Sequence, residues 1–258
     1  MKKTFNYIRY KKNKKKPLFS IITVVRNGEK YIEQCIKSVL GQKIKDFEYI
    51  IIDGQSSDNT LKIIKKYRKK INIIISEKDK GIYDAFNKGI SFSSGKFICI
   101  VNSDDILTSK ALLIIRNYIY KKDFDFIFGS VKKHWGILHG YNPLKIRYSW
   151  GFYSSHSTGF FISSEAAKKV GKYNIKYKYH ADYDYFYRMI VKNKLKGIST
   201  KKNEITGIFR RGGFSSTIPY NKLFYEEIKI RYENGQNPFL LLIIIIYKIL
   251  RNFRKILF

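Results

Sequence analysis

The chain has 258 residues, 44% hydrophobic and 16% aromatic, which excludes a disordered protein and suits one large domain or one plus an appendage. Its 51 Lys and Arg against 20 Asp and Glu leave a formal charge of +31. Nucleic acid, anionic lipid or a charged small substrate would match that charge, although the joint abundance of Lys, Ile, Asn, Tyr and Phe also marks a codon bias.

Residues 1–16 form a lysine-rich arm, expected to be mobile. The arm lacks the apolar run of a signal peptide, so the protein is expected on the cytoplasmic side. Leu18–Val25 reads as a buried strand closed by the turn Arg26–Gly28, and Tyr31, Ile32, Cys35, Ile36, Val39 and Leu40 follow at helical spacing. Glu48–Asp53 is a second strand, and Asp58 stands where it would cap a helix beginning near Thr60. Ile71–Ser76 is a third strand, Asp84–Ser91 a short helix and Lys96–Asn102 a fourth strand. A helix over Ser109–Tyr120 and a fifth strand over Phe124–Ser130 come next. Cys35 and Cys99 sit in apolar patterns and read as packing residues in a reducing compartment rather than as a disulfide.

Beyond Ser130 the pattern loosens into an aromatic, irregular region up to Gly159. Helices at Ser164–Val170 and Asp182–Lys192, a short strand near Ile205–Arg210 and helices from Lys222 complete the chain. Strands alternating with helices in this way predict a mostly parallel α/β sheet, whose ligands bind at the carboxyl ends of the strands. Four polar turns lie at that edge: Arg26–Gly28, Asp53–Asp58, Asp79–Gly81 and Asn102–Asp105. In the last, two adjacent carboxylates end a buried strand, an arrangement that is costly unless a positive species joins them.

The segments "IDGQSSDNT", "DKGIYDAFNKGI" and "NSDD", followed by "SSHSTGFFIS", "YHADYDYFYRM" and "RRGGFSS", occur in one order between Phe19 and Ser216. Together they resemble the family-2 glycosyltransferases with the GT-A fold, especially those that decorate bacterial capsule, exopolysaccharide and lipopolysaccharide chains. The resemblance implies a mostly parallel central sheet flanked by helices over residues 17–220. Its nucleotide-sugar half would span 17–105 and its acceptor half 106–220, with a basic, apolar helical tail over 221–258. It also implies inverting transfer, by single displacement, from a nucleotide-diphosphate sugar to a glycan or lipid-linked acceptor, with a UDP-sugar first among the donors.

Carried over residue by residue, the resemblance gives Asp53 to the nucleobase, with a turn residue satisfying loop amides as the alternative, and has Thr23, Val24, Arg26, Asn27 and Glu29 lining base and ribose. Asp79 and Asp84 would flank the donor pocket, with ion pairs to neighbouring lysines as the alternative. In the element Asn102-Ser103-Asp104-Asp105, Asn102 replaces the family's first aspartate and Asp104 matches its metal ligand. Asp105 would assist or bond nearby backbone amides. Mg²⁺ or Mn²⁺ would bind there, weakly without donor because the asparagine lowers the negative charge. Asp182 matches the family's catalytic base, with Asp184 as the alternative. His156 would face the acceptor. Arg210 and Arg211, before Gly212–Gly213, would close over the diphosphate or form a solvated basic loop.

Two other readings fit less well. A nucleic-acid-binding protein would gather its basic residues on a recognisable element, whereas here they are spread along the chain. A nicotinamide-dependent enzyme would show G-x-G-x-x-G after the first strand, where "VVRNGE" stands instead. The tail "FLLLIIIIYKILRNFRKILF" is too short in its apolar part to span a bilayer. It is expected to lie on an anionic membrane, placing the protein peripherally on the inner face, or else to dock on the protein's own core or on the partner in a homodimer.

Overall fold

The computed structural model describes residues 7–9, 16–148, 157–210 and 218–257. In chain order its strands and helices begin with β1 (Tyr7–Arg9), β2 (Phe19–Val25), α1 (Ile32–Leu40), β3 (Phe47–Asp53), α2 (Thr60–Lys66) and β4 (Ile73–Ser76). They continue with α3 (Ile82–Phe92), β5 (Phe97–Asn102), β6 (Ile106–Leu107), α4 (Ala111–Lys121), β7 (Phe126–Phe128) and β8 (Ser130–Lys133). β9 (Gly136–Leu138), β10 (Phe160–Ser163), α5 (Ser164–Val170), α6 (Ala181–Tyr187), β11 (Gly197–Ser199) and β12 (Ile205–Ile208) follow. The chain closes with α7 (Tyr220–Glu233) and α8 (Pro238–Leu257).

The main sheet runs β1-β4-β3-β2-β5-β10-β7-β11. β4, β3, β2 and β5 are parallel neighbours, while β1 and β10 run against the strands beside them. The parallel block forms because β2 to β5 are nearly continuous apolar runs that can be buried on both faces. Ile22, Val24, Ile50, Ile52, Ile98 and Ile100 pack on one face with α3 and α6. Phe19, Ile21, Val25, Ile51, Cys99 and Val101 pack on the other with α1, α2 and α4. Both cysteines are buried and free. A second sheet, β6-β12-β8-β9, crosses the carboxyl end of the first.

Three expectations change. The arm is not featureless, because Tyr7–Arg9 pairs with Ile73–Ile75 as an antiparallel edge strand. The strand expected over Phe124–Ser130 breaks at Gly129, so that β7 joins the main sheet and β8 the second. The helix expected over Asp182–Lys192 is α-helical only to Tyr187 and then makes a π-helical turn at Arg188–Lys192.

The tail is a helical pair. α7 buries Glu226, Glu227, Ile230 and Arg231, and α8 buries Leu241, Ile244 and Lys248 while its opposite face is open. The buried Glu227 joins the two helices, pairing with Arg231 within α7 and with Lys248 of α8.

Candidate functional site

The four polar turns do converge at the carboxyl edge of the parallel block. The amide of Asn27 donates to Ser56 Oγ (2.8 Å), that of Gly28 to Thr60 Oγ1 (2.8 Å) and that of Glu29 to Asp58 Oδ2 (3.1 Å). In return Asn27 Oδ1 accepts the Ser57 amide and Glu29 Oε2 the Asn59 amide, both at 2.9 Å. Asn27 (φ 50°) and Gln55 (φ 58°) are left-handed, a conformation uncommon outside glycine, and turn the two loops toward each other. Asp58 also accepts the Thr60 amide (3.0 Å), but from the residue before the N-cap of α2, which is Asn59 and not Asp58 as expected. A Cβ on Gly54 would stand 2.3 Å from Asp79 Oδ2, and one on Gly28 would stand 3.3 Å from Ser103 Oγ. All four turns are therefore in van der Waals contact.

At the end of β5, Asn102 donates through Nδ2 to Ser157 Oγ (3.0 Å), while its buried Oδ1 has no hydrogen-bond partner among the described residues. Burial raises the Asp104 carboxyl above the ordinary aspartate range, with the Arg210 charge pulling the other way. Asp105 is fully buried. Its Oδ2 accepts the Thr158 hydroxyl (2.5 Å) and its Oδ1 the Arg210 amide (3.3 Å). Burial first, and then repulsion from Asp104, push its carboxyl up to about 7. The Arg210 guanidinium bonds Gln34 Oε1 (2.5 Å) and lies 4.2 Å from the Tyr31 ring centroid. Lys133, beside Asp105, sits 4.6 Å from the Phe209 ring, and burial lowers its ammonium below the usual lysine range.

Asp182 lies in the first turn of α6 and is half-buried. Its Oδ1 accepts its neighbour Tyr183's amide (2.9 Å) and the Tyr83 hydroxyl (3.2 Å), and Tyr83 belongs to α3, which starts at the donor edge. Burial raises its pKa, with the nearby His180 acting in the opposite direction. Asp184 has a different place. It is 2% exposed, pairs with Arg188 Nε at 2.9 Å and accepts Asn234 Nδ2 at 2.9 Å.

The model of glycosyl transferase family 2 matches residues 20–195. This chain belongs to that family. An uncharacterized glycosyltransferase of Methanocaldococcus jannaschii is 30% identical to it over 238 residues, covering 86% of this chain and 82% of the relative. A PGL/p-HBAD biosynthesis glycosyltransferase of Mycobacterium bovis BCG is 27% identical over 217 residues, covering 78% and 80%. Among solved structures, Staphylococcus aureus TarS 1–349 in complex with UDP superimposes with a TM-score of 0.67 at 19% identity. That match covers 83% of this chain and 64% of the TarS fragment, so this chain spans just under two thirds of it. Pyrobaculum calidifontis mannosyltransferase PcManGT, in complex with GDP-Man and Mn²⁺, gives 0.66 at 13% identity over 99% of this chain and 76% of its own. The fold is GT-A, as expected.

Several expected site residues of this glycosyltransferase have other partners in this structure. The side chains of Thr23 and Val24 point into the core. Thr23 is fully buried, its hydroxyl 3.0 Å from Tyr49 Oη and 3.7 Å from Cys35 Sγ, and Val24 packs in the core on the other face. Asp53 is fully buried too, and accepts from the Ser56 amide and hydroxyl and from Ser76 Oγ (2.6 Å). In this geometry its carboxylate anchors the loop beside it, between Ser56 and Ser76. Asp84 forms the alternative ion pair, with Lys88 at 3.5 Å, and Asp79 accepts the Gly81 amide at 3.0 Å. Arg26 is exposed at the edge. Arg211, with Gly212–Gly213, and His156 lie outside the described residues.

Tyr83, Thr158, Lys133 and Glu226 carry weight that was not assigned from sequence. Tyr83 and Thr158 lie inside the quoted motifs, which is the signal that could have found them. Lys133 and Glu226 lie outside every motif.

Proposed function

We propose that this protein is an inverting glycosyltransferase of surface polysaccharide synthesis. It moves a sugar from a nucleotide-diphosphate sugar, a UDP-sugar first among the candidates, to a hydroxyl of a glycan or lipid-linked acceptor. The observation that carries the reading is the run of contacts joining four strand-end turns, Asp79 to Gly54, Ser56 to Asn27 and Gly28 to Ser103, with one half-buried carboxylate, Asp182, linked to the same edge through Tyr83. TarS and PcManGT, which share the fold, were solved with UDP, and with GDP-Man and Mn²⁺, respectively.

In this mechanism Asp182 accepts the proton of the acceptor hydroxyl as that oxygen attacks the anomeric carbon, while the bond to the diphosphate breaks on the opposite face. Both hydrogen bonds described above hold Oδ1, which leaves Oδ2 to receive the proton. A carboxyl pushed up by burial is a stronger base than a solvated one. Arg210, fixed by Gln34 and Tyr31, and Lys133 supply positive charge facing the diphosphate.

Asp104 and the unpartnered Oδ1 of Asn102 are the oxygen groups that would hold Mg²⁺ or Mn²⁺, hard cations that take oxygen ligands. Such an ion, when bound, neutralises charge on the leaving diphosphate. Among the described residues no group of three or more His, Cys, Asp or Glu gathers for a metal, and donor phosphates would supply further oxygen ligands. Asp105, tied to Thr158 and Arg210, keeps the turn and the end of β12 together and at most assists the ion.

The open face of α8 carries Phe239, Leu242, Ile243, Ile246, Leu250 and Phe253, all about half or more exposed. No described helix is long and apolar enough to cross a membrane. An apolar stripe beside Arg251 on a strongly basic protein suits the interface of an anionic bilayer, the inner face of the cell membrane, where a lipid-linked acceptor would lie.

Thermal shift tests the donor reading. UDP with Mn²⁺ at a hundred times its Kd stabilises by about 2.7 kcal/mol, roughly 5–10 °C for a chain of this size. DNA and NAD should give no shift. Absence of a response to any nucleotide with metal would contradict the proposal; given a response, a panel of nucleotide sugars would identify the donor.

A further inference from the structure

The segment that carries Asp182 is held on its outer side by α7, an element outside the matched family region. Glu226, only 9% exposed, accepts three consecutive backbone amides: Lys178 at 2.6 Å on Oε1, and Tyr179 and His180 at 2.7 Å each on Oε2. About two turns along the same helix, Glu233 pairs with Lys176 (2.6 Å) and accepts the Tyr177 hydroxyl. Arg231, fully buried, places its guanidinium 5.0 Å from the centroid of the Tyr183 ring, and Asn234, just past α7, bonds Asp184. Between Lys176 and Asp184 only Ala181 and Asp182 have no contact with this helix among those described above.

We infer that Glu226 is a positioning residue for the base, and that α7 serves this purpose through it; the inference rests on Asp182 being that base. The physical argument is that three neighbouring amides cannot all point at one carboxylate unless the backbone of residues 178–180 is fixed. His180 is the residue from which α6 starts, so fixing its peptide fixes the direction in which Asp182 leaves the helix. Charge-assisted bonds of this kind are the stronger class, and three on one side chain define both position and orientation. The carbonyl of Tyr179 meanwhile accepts the Tyr83 hydroxyl (2.9 Å), the same hydroxyl that bonds Asp182. Glu226 thus holds the outer side of the loop against α7 while Tyr83 holds its inner side against α3.

The test compares Glu226→Gln with the wild type, alone and combined with Asp182→Asn. Rates are expressed per nucleotide-binding site counted by calorimetry, so that unfolded molecules do not enter. In Glu226→Gln the transfer kcat should fall roughly 10- to 100-fold, the cost of a misplaced reacting group, with donor KM and UDP affinity within about twofold. In the Asp182→Asn background the same change should have no further effect, because it acts through the group already removed. Hydrogen exchange on the unaltered protein gives a second reading, in which the amides of Lys178, Tyr179 and His180 should exchange far more slowly than ordinary loop amides. Three results would overturn the positioning role alone: an unchanged kcat, an equal loss in both backgrounds, or loop-like exchange at these amides. Full turnover by Asp182→Asn would instead remove the base assignment, and this inference with it.

Discussion

Asp182 and Asp184 stand two residues apart on one helix, and the structure predicts opposite consequences for the same isosteric change. Asp184 is buried, paired with Arg188 and bonded to Asn234. Asp184→Asn keeps the shape and removes the charge, leaving the Arg188 guanidinium with the carbonyls of Val170 and Lys172 and the Tyr185 ring but no anionic partner among the described residues. Breaking a buried ion pair by removing one member costs about 3–5 kcal/mol. For a chain of this size that is a fall in Tm of about 6–20 °C, at roughly 2–4 °C per kcal/mol. Asp182→Asn should act the other way. Its carboxyl is raised above the unfolded value, so ionisation costs the folded state free energy at any pH above that raised pKa. Replacing it with a neutral group should leave Tm unchanged or slightly higher at neutral pH. Urea and thermal denaturation of both variants without nucleotide would measure this. A Tm for Asp184→Asn within about 2 °C of the wild type, worth less than 1 kcal/mol, would refute the structural role given to Asp184. So would destabilisation by Asp182→Asn alone.

Other expectations can be checked separately. Asp104→Ala should abolish metal-dependent transfer with the unliganded Tm kept, because burial already disfavours that carboxylate's charge; full turnover with metal still required would discard it as the ligand. Tyr83→Phe removes a hydrogen bond that favours ionised Asp182, so the acid limb of the kcat profile should move to higher pH; an unmoved limb, or one shifted down, would contradict the role of Tyr83. Leu242→Glu, Ile246→Glu and Leu250→Glu together should end flotation with anionic liposomes and spare transfer to a soluble acceptor, since these side chains are at least half exposed. Equal flotation would discard the membrane reading, and a dimer that dissociates in this variant without lipid would assign the face to a second copy.

The parallel block was legible because β2 to β5 are apolar on both faces, which leaves no other way to bury them. The positions of the four turns followed from it. The inward direction of Thr23 was also there to be read. It stands two residues from Ile21 and two from Val25, and strand side chains alternate, so all three share a buried face. The Asp184–Arg188 pair was similarly visible as an i, i+4 spacing on a helix. What could not be read is contact between distant segments. β1 exists by pairing with the edge of β4, and Thr158 reaches Asp105 across 53 residues. Glu226 meets the amides of 178–180 across 46 to 48 residues, and no local pattern in either segment announces it.

The central claim, that a carboxylate on α6 deprotonates the acceptor for transfer from a nucleotide-bound sugar, is tested most directly by the transfer rate of Asp182→Asn with UDP affinity measured on the same sample. Loss of a general base typically lowers the rate about 10²–10⁴-fold. The account predicts a loss in that range with nucleotide affinity unchanged. Transfer at the wild-type rate by a folded, nucleotide-binding Asp182→Asn protein would contradict it.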